Sequence, residues 1–184
     1  MKKLTTTALL LSSSLIFPSL TMADTGFKPT PYLGADLGYL SYEENGYDDA
    51  NILSIGGKLG VELHKYFSVE ARLGTGITEE EDYEDVQGLD LSLDYYLGAY
   101  ALATLPIGEK FSIYGLLGYT KAEMSAEYAG FEISADESDM SYGLGAEFKV
   151  NDKDKASFTA EYTNLLDGST YEVTSINAGM KLKF

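Results

Sequence analysis

The strongest constraint on this chain is a period of two that runs to its last residue. Over residues 176–184, Ile176, Ala178, Met180, Leu182 and Phe184 alternate with Asn177, Gly179, Lys181 and Lys183. Such alternation gives a strand one apolar and one polar face. A strand that stops on an aromatic residue, with nothing after it to cover the apolar face, suits lipid on one side and a polar interior on the other. Past the N-terminal segment no stretch approaches the roughly 20 apolar residues that a spanning helix needs. Any crossing must be made by strands, and strands cross only when closed into a barrel that pairs every backbone amide.

The alternation recurs in eight segments: 32–42, 52–63, 67–77, 89–105, 111 to about 123, 140–150, 156–164 and 172–184. Leu33, Leu37 and Tyr39 face Asp36 across the first strand, and Ile55 and Leu59 face Lys58 and Glu62 across the second. Val69 and Leu73 oppose Glu70 and Arg72 in the third. The fourth is the longest, and we place Leu91, Leu93, Tyr95, Leu97 and Ala99 outward with Asp90, Asp94, Gly98 and Tyr100 inward. Ile113, Leu117 and Tyr119 point out in the fifth, Tyr142, Leu144 and Phe148 in the sixth, Phe158 and Tyr162 in the seventh.

Short links at 64–66, 106–110 and 151–155 alternate with long ones at 43–51, 78–88, 124–139 and 165–171. This predicts an all-β fold: an eight-stranded antiparallel up-and-down transmembrane barrel with a polar, side-chain-filled interior. Short turns and both termini would lie on the periplasmic side and long loops outside. The outward aromatics sort accordingly, with Phe67, Phe111, Phe148, Phe158 and Phe184 at one end and Tyr39, Tyr95, Tyr119, Tyr142 and Tyr162 at the other. Two such rings are the interfacial girdles of a membrane barrel. A soluble barrel would need the inverse pattern.

The N-terminus has the parts of a secretory leader. Met1-Lys2-Lys3 is followed by an apolar core over 8–17 and by Thr21-Met22-Ala23 before Asp24. We expect residues 1–23 to be a cleaved signal peptide and 24–184 to form one barrel domain. Cysteine is absent, so there is no disulfide or thiolate chemistry.

Two groups of residues are candidates for function. Inside the barrel, Asp36, Glu62, Glu70, Glu147 and Glu161 meet Lys58, Arg72, Lys149, Lys181 and Lys183. Charges in so narrow an interior must pair. They form either a plug that rigidifies the barrel or a gate whose pairs exchange partners and pass small ions. The other group is the loops. The chain holds 29 Asp and Glu against 13 Lys and Arg, and Lys2 and Lys3 lie in the leader. Glu79, Glu80, Glu81, Asp82, Glu84 and Asp85 crowd the second loop as a weak cation-binding candidate, bridging to the phosphates of lipopolysaccharide. Nucleic acid and other polyanions are disfavoured by like charge.

Tyr47, Tyr83, Tyr128, Phe131 and Ile133 are candidate anchors for a surface protein partner. Residues 122–128 and 131–135, turning at Ala129-Gly130, would form a hairpin beyond the membrane with an edge open to β-augmentation. Enzymatic chemistry is not expected, because the one histidine, His64, falls in a periplasmic turn. No cofactor or specific metal site is expected either.

Several of these stretches resemble the small eight-stranded outer-membrane β-barrel proteins, the OmpX/Ail-like group. They are Tyr32-Leu33-Gly34-Ala35-Asp36-Leu37-Gly38-Tyr39, Ser68-Val69-Glu70-Ala71-Arg72-Leu73-Gly74 and Tyr114-Gly115-Leu116-Leu117-Gly118-Tyr119. Gly143-Leu144-Gly145-Ala146-Glu147-Phe148 and Met180-Lys181-Leu182-Lys183-Phe184 match as well. The resemblance implies a monomer in the bacterial outer membrane with a structural or adhesion-type role. It further implies that Met180, Leu182 and Phe184 are an assembly signal read by the barrel assembly machinery. A narrow porin-like channel for ions or small solutes is the alternative within the same family.

Overall fold

A computed structural model describes residues 28–44, 50–78, 89–128, 131–150, 155–167 and 171–184. The expected leader lies outside the described residues, as do Asp48, Asp49 and the acidic run at 79–85. Eight strands follow in order: β1 (Thr30–Glu44), β2 (Ala50–His64), β3 (Phe67–Gly76), β4 (Leu89–Ile107), β5 (Phe111–Tyr128), β6 (Phe131–Lys149), β7 (Ala156–Asp167) and β8 (Tyr171–Lys183). Each pairs antiparallel with its neighbours in sequence, and β8 returns to β1 to close the barrel. Leu33 lies opposite Leu182 and Asp36 opposite Gly179, so the alternating terminal strand is the closing one.

The alternation decides which face meets lipid. Leu37, Leu73, Leu97, Leu117, Leu144 and Ile176 are all more than half exposed on the outer wall. The five phenylalanines and five tyrosines of the two expected rings are exposed there too. In a soluble protein this much continuous apolar surface would aggregate; against acyl chains it is the stable arrangement.

Two expectations are corrected. Leu91 and Leu93 do not face lipid: the ladder between β4 and β5 shifts register between Leu93 and Tyr95, and Leu93 is buried inside. One extra residue reverses the faces on either side of it, which a fixed period of two cannot anticipate. The hairpin expected in the third long link forms, with Tyr128 paired to Phe131, and its returning strand runs on past Ala135 without a break as β6. The fourth is hardly a loop, because β7 runs on to Asp167 and β8 begins at Tyr171. Leu165 and Leu166 therefore belong to the strand, and both are buried.

The β4–β6 hairpins outgrow their neighbours. β3 pairs with β4 only as far as Gly74 against Tyr96, and β7 reaches β6 only at Tyr142 against Asn164. Past those points β4, β5 and β6 continue as a three-stranded extension. Its two outer edges have no ladder partner among the described residues.

Candidate functional site: the sealed interior and the outer mouth

The interior charges meet at the middle and lower part of the barrel. Arg72 on β3 is placed opposite Lys58 of β2 and Gly98 of β4. Its guanidinium grips Glu161 with both terminal nitrogens, Nη2 donating to Oε2 at 2.9 Å, and its Nε donates to Glu70. Glu161 also accepts from Tyr114 Oη at 2.9 Å and Thr163 Oγ1 at 2.9 Å. Tyr32 Oη donates to Glu70 at 2.8 Å. The Tyr100 ring lies under the Arg72 guanidinium at 4.6 Å. A fork of fixed N–H donors matches a carboxylate better than an ammonium does, which explains an arginine at the centre.

Two further sets flank this cluster. Lys58 Nζ sits 3.2 Å from Asp36. Nearer the periplasmic mouth, Lys181 bridges Glu147 and Glu62, and Lys183 lies 2.7 Å from Glu62. Ser157 Oγ donates to Glu147 at 2.7 Å. Lys149 lines a vestibule of about 410 Å³ at this mouth, together with Glu62, Glu147, Lys155, Lys183 and Phe184. Among the described residues only Asn164 Oδ1 is buried without a hydrogen-bond partner. A polar interior this fully satisfied is rigid.

The outer half of the interior is different. Leu40, Ile52, Leu93, Tyr96, Ala122, Leu165, Leu166 and Val173 form one buried apolar cluster, with Tyr42, Met124 and Tyr171 packed above it. The residual space within it is only about 10 Å³, too little to hold a chain of waters. The alternation of β7 gave no hint of this layer, because Asn164-Leu165-Leu166 breaks the period. The adjacent Leu165-Leu166 doublet, at which the strand shifts register between Asn164 and Leu166, is the signal in the sequence that points to it.

The extension is polar on its outer face, where Lys121 pairs with Asp136 at 2.8 Å. That bond holds Asp136 below the usual carboxylate range and Lys121 above the usual ammonium range, through the shared hydrogen bond first and the opposite charge second. On the inner face, burial and then the neighbouring Glu137 and Asp139 carboxylates push the Tyr171 phenol up.

An apolar wall between two aromatic belts, closed by eight strands around a satisfied ionic core, defines an integral outer-membrane barrel. The chain belongs to the outer membrane protein β-barrel domain family, whose model matches residues 7–184. It lies in the bacterial outer membrane. Its fold is that of Ail, the attachment invasion locus protein of Yersinia pestis, at a TM-score of 0.66 and 19% identity over 86% of this chain and 100% of that one. Neisserial surface protein A is similar at 0.63 and 16% identity, over 86% and 100%. The N-terminal barrel domain of Pseudomonas aeruginosa OprF is similar at 0.53 and 13% identity, over 82% and 97%. No curated protein matches the chain.

Proposed function

We propose that this protein is a closed, monomeric, non-catalytic surface-interaction barrel that presents the acidic β4–β6 extension to partners outside the cell. The observation that supports this most is the extension itself. It is three strands that continue past the ladders of their neighbours, with no ladder partner on either outer edge among the described residues and with exposed Phe131 and Ile133 near its tip. Unpaired strand edges recruit a further strand from a partner, through main-chain hydrogen bonds. Ail has been crystallised with the heparin analogue sucrose octasulfate. The acidic outer end here favours the opposite charge, a basic protein segment, over such polyanions.

The test is capture of surface proteins by intact cells carrying the wild-type protein or a variant with Pro at Ser134 and Ser138 on the outer β6 edge, which has no ladder partner among the described residues. Loss of capture in the variant supports the reading, and equal capture removes it. Two stacked seals support a closed barrel over the channel alternative: the Arg72–Glu161–Glu70 cluster and the apolar cluster beyond it. We also propose that the 79–85 carboxylates bridge to lipopolysaccharide through divalent cations, which chelation would reverse. The outward Met180, Leu182 and Phe184 of β8 would serve as the assembly signal, after removal of 1–23 as a leader. Deleting Phe184 should then lower insertion and leave export intact; normal insertion would defeat that assignment.

A further inference from the structure

The apolar cluster in the outer half is not flush with the mouth. Above it opens a cavity of about 410 Å³, walled by Met124, Ala126 and Ile133 from the extension and by Tyr42, Leu166 and Tyr171 from the opposite side. That volume is within the range of about 300–1,000 Å³ typical of small-molecule sites. The rings of Tyr42 and Tyr171 stack at 6.1 Å and 16° to form part of the wall. Ile133 is 74% exposed, so the wall holds apolar surface that water wets at a cost.

Among the residues lining the cavity one carries a charge, Glu137. Lys121, the cation of the hairpin, is engaged with Asp136 on the other face. Asp139, two residues on along the same face of β6, adds a second carboxylate near Tyr171, and the cavity lining holds no base among the described residues. An anionic rim over apolar and aromatic walls selects a ligand by both sign and shape.

We propose that this cavity binds a small organic cation bearing an aromatic or aliphatic group. The apolar part packs against Met124 and Ile133, and the charge sits between Glu137 and the faces of Tyr42 and Tyr171. This site is on the inner face of the extension, so it is independent of any strand added at its edge.

Full-length protein in bilayer nanodiscs, with Met and Ile methyls labelled for NMR, tests this with benzyltrimethylammonium as the probe. The expected result is saturable shifts at Met124 and Ile133, at least about tenfold weaker binding of phenylacetate, and weaker binding of tetramethylammonium. Glu137→Gln should weaken the probe several-fold. Ala135→Trp, which fills the cavity from an exposed position, should abolish binding while heat-modifiable migration stays normal. Non-saturable shifts, equal affinity for phenylacetate, or undiminished binding in Ala135→Trp would overturn the proposal. So would contacts from Tyr83 into the cavity of the free protein, or shifts that depend on protein concentration alone, because either would give the space to the chain itself or to a second copy.

Discussion

The two halves of the barrel interior are built from different materials on the same eight strands. Below, Arg72, Glu70, Glu161, Tyr32 and Tyr114 fill the lumen with directional bonds. Above, Leu40, Ile52, Leu93, Leu166 and Val173 fill it with volume alone. An ionic layer is stable only when every member has its partners, so it fixes strand register and tolerates little change. The apolar layer needs only the right volume and accepts substitution by degrees. One half therefore confers specificity, and the other seals cheaply against water at the end that meets the outside.

The sharpest way to separate the halves is to remove one member from each. Arg72→Ala leaves Glu161 and Glu70 buried without their cation, and should cost about 3–5 kcal/mol of unfolding free energy. Leu166→Ala deletes volume without stranding any charge and should cost about 2–4 kcal/mol. Urea titrations of protein inserted in vesicles measure both, and the comparison fails if Leu166→Ala is the costlier. Planar-bilayer recording adds a second readout. Neither variant alone should give steady channels, because the other layer still closes the lumen. Conductance in Arg72→Ala alone would mean that the apolar layer is no seal.

A smaller effect probes how the aromatics of the ionic half are seated. A Cβ added at Gly60 would meet the Tyr32 ring at 2.2 Å, and one at Gly145 would meet Tyr114 at 2.3 Å. Both tyrosines hold carboxylates of the Arg72 cluster, so neither ring can swing away without breaking its bond. Gly60→Ala should cost about 1–3 kcal/mol by overpacking. Gly115, whose added Cβ would meet nothing closer than 3.8 Å, is the internal control and should be near neutral on replacement by Ala. Equal losses at the two positions would refute the seating argument.

The outer wall was readable in the sequence because lipid imposes a single rule on it. Leu33, Leu37, Leu73 and Leu117 had to alternate with something, whatever that was. The inner face follows no such rule. A fixed period of two puts Leu93 outward, because the bulge before Tyr95 lies in backbone geometry and leaves no mark on composition. Leu165 and Leu166 do not read as strand, because adjacent apolar residues break the alternation where β7 shifts register against β8. The ionic residues could be named from their face, but their partners could not. Glu161 and Arg72 are 89 positions apart, and only barrel closure brings them together. The extension was legible in part, since Ala129-Gly130 marks a turn, whereas the full length of β6 and the cavity behind it depend on register.

The smallest expected effect lies outside both halves, at the exposed Lys121–Asp136 pair. Asp136 is held below its ordinary range in the folded protein. Its contribution is therefore present above the ordinary carboxylate pKa and is lost as the pH falls through the lowered folded value. The pair is in water, so screening keeps the contribution small. Lowering the pH should release Lys121 and loosen the outer face of the hairpin, while the buried Arg72–Glu161 pair and the barrel stay intact. Amide exchange across residues 121–138, followed from neutral to acidic pH, checks this. Faster exchange confined to that hairpin is the expected outcome. Simultaneous loss of protection in β3 and β7 would instead tie the surface pair to the ionic core and dissolve the distinction between the protruding sheet and the barrel beneath it.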